Sequence, residues 1–247
     1  MTDIGETEGT YWLPGNNPHV NQTVVDLLAG NRAHARAFDG EFGALQDAQR
    51  PAAVTVCCSD SRVLQDHMWG NDDPGRLFTC SNIGNRVVQR TADGDAVSGD
   101  VLYPIAQTDT ETAIVVGHTG CGAVTATYDA VAGPVGTPEP PGIEHCIDLL
   151  EPHIAAGIEA LPPDLDRRDA INHLVEYNVD RQVEALLESA DVPDGVTVVG
   201  AVYDFQDVYG GRRGEIHVVN VDGVRDADAI RETHPEIADR VTRRWSD

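Results

Sequence analysis

Residues 52–62 read Ala52-Ala53-Val54-Thr55-Val56-Cys57-Cys58-Ser59-Asp60-Ser61-Arg62, and residues 111–122 read Glu111-Thr112-Ala113-Ile114-Val115-Val116-Gly117-His118-Thr119-Gly120-Cys121-Gly122. In each, a short, mainly apolar and β-branched run (Ala52–Cys57, Glu111–Val116) gives way at once to thiols, an imidazole or charged side chains. A run without alternation has no wet face, which is the pattern of a strand covered on both sides of a parallel sheet. Arg76–Cys80 and Val196–Tyr203 read as two more such strands, and Glu215–Val221, after the turn at Gly210-Gly211, as another. Strands that alternate with helical stretches predict an α/β fold: a mostly parallel central β-sheet, four parallel strands plus an edge strand, flanked by α-helices.

Outward from these runs, helical spacing predicts helices over Asn21–Phe38 and Cys121–Val131, and over residues 143–158 and 166–189. Val97–Ala106 reads as a helix disturbed by Pro104, and residues 227–245 as a short helical tail. Residues 132–142, with Pro134, Pro138, Pro140 and Pro141, read as a loop. Residues 1–20 read as an N-terminal arm and 21–247 as a single domain, without internal repeat or linker.

The 247 residues carry 17 Lys+Arg against 41 Asp+Glu, a net charge of -24, and every one of those cations is Arg. Such a chain repels phosphate backbones, which argues against nucleic-acid partners. The acidic residues are dispersed rather than gathered in a tail, a composition that predicts adaptation to molar salt, as in halophilic archaea, where the Debye length falls to about 3 Å. No apolar run approaches the ~20 residues that span a bilayer, so no membrane association is expected. The acidic start shows no secretory signal, and a cytoplasmic location is the expectation. Five cysteines, an odd number, argue against a disulfide framework and for metal binding or catalysis.

Cys58 and His118-Thr119-Gly120-Cys121 both follow directly on strands, at the carboxyl ends where open α/β sheets hold ligands. Two thiolates and one imidazole are a usual zinc complement, and three protein ligands leave a fourth position open. A cysteine at a strand end is more often a small core residue, and a lone H-x-x-C is a weak signal. The pairing of both segments, with Asp60 and Arg62 beside the first ligand, shifts the balance towards a metal site. Cys57, Cys80 and Cys146 read as core residues, because Cys57 and Cys58 must point to opposite faces of one strand.

The C-x-D-x-R and H-x-x-C segments resemble those of the β-class carbonic anhydrases. Leu27–Arg32, Gly75–Asn85, Gly117–Val124, Asn178–Leu187 and Val198–Asp204 also resemble the family's sequence, so the similarity spans roughly residues 20–222. The resemblance implies one zinc ion per chain on Cys58, His118 and Cys121, and a catalytic dyad of Asp60 and Arg62. Gln49 falls where the plant-like subclass binds substrate; Phe78, Ile83 and Tyr103, together with Gly122, fall where that subclass lines its CO2 pocket. Another subclass has a regulatory bicarbonate site of Trp, Arg and Tyr. Here Thr55 and Ser81 occupy the first two positions and only Tyr203 fits, so that site is not expected. Ser81 is also the chief departure from the family pattern, which has Arg before the Asn.

The implied activity is reversible hydration of CO2 to bicarbonate and a proton, by hydroxide on zinc, oriented by Asp60 while Arg62 holds Asp60 off the metal. The family also has closed forms with the Asp on zinc; Gln49 favours the open form. A homodimer or dimer of dimers is expected, with part of the pocket supplied by the partner. Two alternatives stand beside this reading: a CS2 or COS hydrolase on the same zinc site, and a non-catalytic, zinc-stabilised binding protein.

Overall fold

The computed structural model describes residues 21–133 and 139–245. The arm at 1–20, and Pro134 and Pro138 of the expected loop, lie outside the described residues. The chain divides into two compact units, one ending at Asp47 and one beginning at Ala48. In the first, helix α1 (Gln22–Phe38) starts where the Asn21 side chain accepts the Thr23 N–H at 2.9 Å, an N-cap. None of its residues is buried, and Val24, Val25, Leu27 and Leu28 stand exposed.

The second unit is built on a five-stranded sheet. In chain order the strands are β1 (Ala53–Cys58), β2 (Leu77–Asn82), a separate hairpin of β3 (Val88–Thr91) and β4 (Gly94–Val97), then β5 (Thr112–His118), β6 (Thr197–Asp204) and β7 (Glu215–Val221). The sheet order is β2-β1-β5-β6-β7; the first four are mutually parallel and β7 runs antiparallel to β6. This is the architecture expected from the sequence. Every residue of β1 is buried, as its lack of alternation requires.

Among the described residues, six α-helices accompany the sheet: α2 (Gly99–Gln107), α3 (Gly122–Ala132), α4 (Pro141–Asp148), α5 (Glu151–Ala160), α6 (Arg167–Leu187) and α7 (Ala227–Thr233). Pro104 does sit inside α2, where it cannot donate to the Asp100 carbonyl one turn earlier. The Cys80 thiol donates to that carbonyl at 3.2 Å, which occupies the acceptor Pro104 leaves vacant. The expected helix over 143–158 is two helices instead: Pro152 begins α5, and its ring excludes a helical carbonyl at Asp148, where α4 ends. The tail at 227–245 is helical only to Thr233 and then, from Pro235 to Arg240, a 3₁₀ turn. The β3–β4 hairpin went unread although Asp93-Gly94 is a recognised turn signal.

Helix α6 packs against β5, β6 and the helices of its own layer and is buried on nearly all sides. Its fit against the sheet is close: a Cβ on Gly117 would lie 2.7 Å from Val179 and 2.9 Å from Val175. Its fully buried Glu176 carboxylate accepts the N–H groups of Arg244 and Trp245, each at 2.9 Å, and the Tyr209 hydroxyl at 2.9 Å. Asp180 pairs with Arg243 at 3.0 Å and accepts from Asn220 at 2.8 Å. The chain after Val241 is therefore fastened to the middle of α6 by buried charge. Glu176→Ala strands three donors and takes a carboxylate from Arg243; urea unfolding is expected to show a loss of about 3 kcal/mol, with Glu176→Gln losing less.

Candidate metal centre

Parallel pairing of β1 with β5 aligns Cys57 with Val116, so Cys58 and His118 emerge side by side at the same end of the sheet. Cys121 follows one tight turn later as the residue capping α3. Gly120 makes that turn possible at φ 63°, a left-handed conformation that L side chains resist. The three candidate ligand atoms lie within 4.8 Å of one another, and the two sulfurs are 3.9 Å apart. Cys58 is 5% exposed, His118 and Cys121 1% each.

His118 Nδ1 lies 3.1 Å from the Thr119 carbonyl, which can only accept, so the proton belongs on Nδ1. Nε2 is left with its lone pair buried and without a hydrogen-bond partner among the described residues. Between the sulfurs the charge is shared unequally. A hydrogen bond from the Cys121 thiol pulls the Cys58 thiol down to about 5, and the same bond, with burial, pushes Cys121 well above its ordinary value. An unpartnered buried nitrogen lone pair and two thiols sharing one proton fit a metal ion that would take all three donors. By contrast, Cys57 is pushed up to about 12 by burial and Cys80 to about 11, as inert core thiols are.

Beside the cluster, Asp60 and Arg62 form a two-point pair: Nε donates to Oδ1 at 2.9 Å and Nη2 to Oδ2 at 2.7 Å. The Arg62 backbone N–H also donates to Oδ1 at 2.9 Å. The Arg62 guanidinium holds the Asp60 carboxyl well below the usual carboxylate range. Asp60 Oδ2 lies 3.6 Å from His118 Nε2, so the carboxylate borders the ligand set while Arg62 holds both of its oxygens. Arg62 Nη2 also reaches the Gly120 carbonyl at 3.4 Å.

The loop carrying His118 and Cys121 is held from behind. The Gly120 N–H donates to Asn172 of α6 at 2.8 Å, the Thr119 N–H to the Tyr203 carbonyl at 3.1 Å and the Thr119 hydroxyl to Asp204 at 3.2 Å. Neither Asn172 nor Asp204 was singled out as functional in the sequence, although Asp204 ends a parallel strand at the same edge as Cys58 and His118. Ser81, where the family pattern has Arg, accepts a hydrogen bond from the Gln65 amide.

A cleft of about 240 Å³ opens against the cluster, walled by Cys58, Ser59, Asp60, Ile83, Gly122 and the apolar side chains of α3 and α4. Of the expected pocket residues, Ile83 and Gly122 line it. Gln49, Phe78 and Tyr103 do not. Phe78 pairs with Val54 near the start of β1 and packs at a tilt of 34° against Tyr103, with ring centroids 6.2 Å apart. Gln49 precedes that strand.

A profile of the family described as carbonic anhydrase matches residues 53–212. The chain belongs to the β-class carbonic anhydrase family. It is 29% identical over 206 residues to a carbonic anhydrase of Mycolicibacterium smegmatis, an alignment covering 79% of this chain and 93% of that one. A carbonic anhydrase of Pseudomonas aeruginosa is 36% identical over a shorter stretch of 83 residues, 34% of this chain and 37% of the other. Among solved structures, a tetrameric β-carbonic anhydrase of Sordaria macrospora superposes with a TM-score of 0.67 at 20% identity, covering 81% of this chain and 98% of that one. The Coccomyxa β-carbonic anhydrase, solved with acetazolamide, gives 0.64 at 20% identity, covering 87% and 92%. At these identities the structures speak for the shared fold.

A side chain at Gly120 would run into the Gln206 amide and force a β-carbon into a left-handed backbone. Gly120→Ala is expected to cost this carbonic anhydrase-family chain about 1–2 kcal/mol in denaturant unfolding.

Proposed function

We propose that the chain catalyses the reversible hydration of CO2 to bicarbonate and a proton, with one zinc ion per chain on Cys58, His118 and Cys121. The observation that carries this reading is the Cys58–His118–Cys121 cluster bordered by an ionised Asp60 whose two carboxylate oxygens Arg62 holds. When bound, zinc supplies the Lewis acidity that makes hydroxide available near neutral pH.

The chain's own residues do the rest. Asp60, acceptor-only while ionised, would accept a hydrogen bond at Oδ2 from the O–H of the attacking oxygen and so orient that oxygen's lone pair towards the cleft. Arg62 keeps Asp60 ionised and turned outward, the arrangement of the open form. Ile83 and the α3 and α4 side chains exclude water around an apolar, linear substrate. Phe78, with Tyr103 packed on it, lies near the far end of β1 from Cys58, about 13 Å along the strand at ~3.3 Å per residue, and Gln49 precedes that end. The reading therefore assigns them to the pocket of a second copy, in a homodimer or dimer of dimers of the plant-like kind. A cytoplasmic setting at molar salt completes the proposal.

Stopped-flow hydration of CO2 by zinc-loaded protein in molar KCl at mildly alkaline pH tests the activity. Rapid turnover is expected, with COS and CS2 left unhydrolysed; the reverse preference would overturn the reading. Cys58→Ser is expected to lose both zinc and activity. Asp60→Asn is expected to keep zinc and lose about 10²-fold in kcat. In Arg62→Ala, Asp60 is released from its low range and protonates at higher pH, so the acid limb of the rate profile moves up in pH. Lowering the salt unscreens the net charge of -24. Circular dichroism is expected to show unfolding in dilute buffer that added KCl reverses.

A further inference from the structure

We infer that Phe205 is a positioning residue for the dyad: its ring is the shelf on which the Arg62 guanidinium rests while it holds Asp60. The Arg62 Cζ lies 4.7 Å above the Phe205 centroid, within cation–π range. The same ring stacks on the His118 imidazole at 5.7 Å and an interplanar angle of 27°. One aromatic side chain thus touches both a candidate metal ligand and the dyad's cation.

The inference rests on the proposed role of the dyad and adds a residue to it. The Arg62 side chain is 51% exposed, and an ion pair so open to water is weak and mobile on its own. Three contacts restrain it: the Asp60 carboxylate, the Gly120 carbonyl and the Phe205 face. The first is the group to be positioned, so the guanidinium plane must be set by the other two. Of these only Phe205 sets an aromatic face against the guanidinium carbon.

The ring is itself firmly placed. Phe205 follows the last residue of β6, and the buried Asp204 carboxylate accepts the N–H groups of Gln206, Val208 and Tyr209 at 3.0, 2.7 and 2.8 Å. Asp204 also holds Thr119, beside His118. The loop bearing the shelf and the loop bearing the ligands are thereby tied to one carboxylate.

Two measurements test this on the full chain. The first is the Arg62 Nε–H resonance in ¹H–¹⁵N spectra, assigned by its loss in Arg62→Lys. In the wild type it should be exchange-protected and shifted by the ring current. Phe205→Tyr should keep the shift, and Phe205→Leu, similar in bulk but without a π face, should lose it. This measurement needs no catalysis, so it decides the shelf even if the chain hydrates no CO2. The second is a double-mutant cycle on kcat/KM. Phe205→Leu is expected to cost about two- to fivefold in the wild type and nothing further in Arg62→Ala, which leaves no cation for the ring, with Phe205→Tyr near wild type. An unchanged Nε–H shift in Phe205→Leu, or an equal loss in both backgrounds, would overturn the inference, because a merely structural ring would act without regard to Arg62.

Discussion

A helix buried on nearly all sides has no water to satisfy its polar side chains, so each must find a partner in the protein. Helix α6 meets this constraint by turning its polar residues into fastenings. Asn172 takes the Gly120 N–H, Asn178 donates to the Gly84 carbonyl at 3.2 Å, and Gln182 takes the Val87 N–H at 2.8 Å. Glu176 and Asp180 take the C-terminal segment. The loops after β2 and β5, and the chain end, are thus referred to one rigid element. The ligand geometry depends on α6 although α6 contributes no ligand.

The strands were legible because burial on both faces removes alternation, and a short β-branched run has few other readings. The parallel order followed from their alternation with helices. What escaped was local chemistry. The break between α4 and α5 turns on one ring, Pro152, inside a stretch whose apolar spacing is otherwise continuous. The ligands and the dyad stood out because two thiols, an imidazole, a carboxylate and a guanidinium follow two strands together. Phe205 and Asn172 did not, because an aromatic after a strand and an Asn in a helix are ordinary residues. Their meaning comes from what the fold places opposite them, a guanidinium and a glycine N–H. The one available signal for Phe205 was positional: it follows β6 at the same edge where β1 and β5 deliver Cys58 and His118.

The placement of Gln49, Phe78 and Tyr103 follows from strand geometry alone. β1 carries Cys58 at its last residue and pairs Val54, near its first, with Phe78. A strand is stiff, so no rearrangement within the chain brings the two ends together. In the proposed reading, a pocket that uses both ends is therefore completed by a second molecule.

Charge closes the account of the site. Cys58 and Cys121 as thiolates and Asp60 as carboxylate would stand against Arg62 alone, with both cysteines buried. Without a cation the imbalance is relieved by a proton shared between the sulfurs, which is why one thiol is drawn down and the other driven up. Cys58, His118 and Cys121 would hold a divalent ion in place of that proton, and the ion would supply the balancing charge, while Asp60 is already neutralised by Arg62. The division of labour in the proposed mechanism, ligands on one side and an orienting carboxylate on the other, then depends on Arg62 staying on Asp60. That makes the support beneath the guanidinium, rather than the ligand set, the part of the site on which the open form turns.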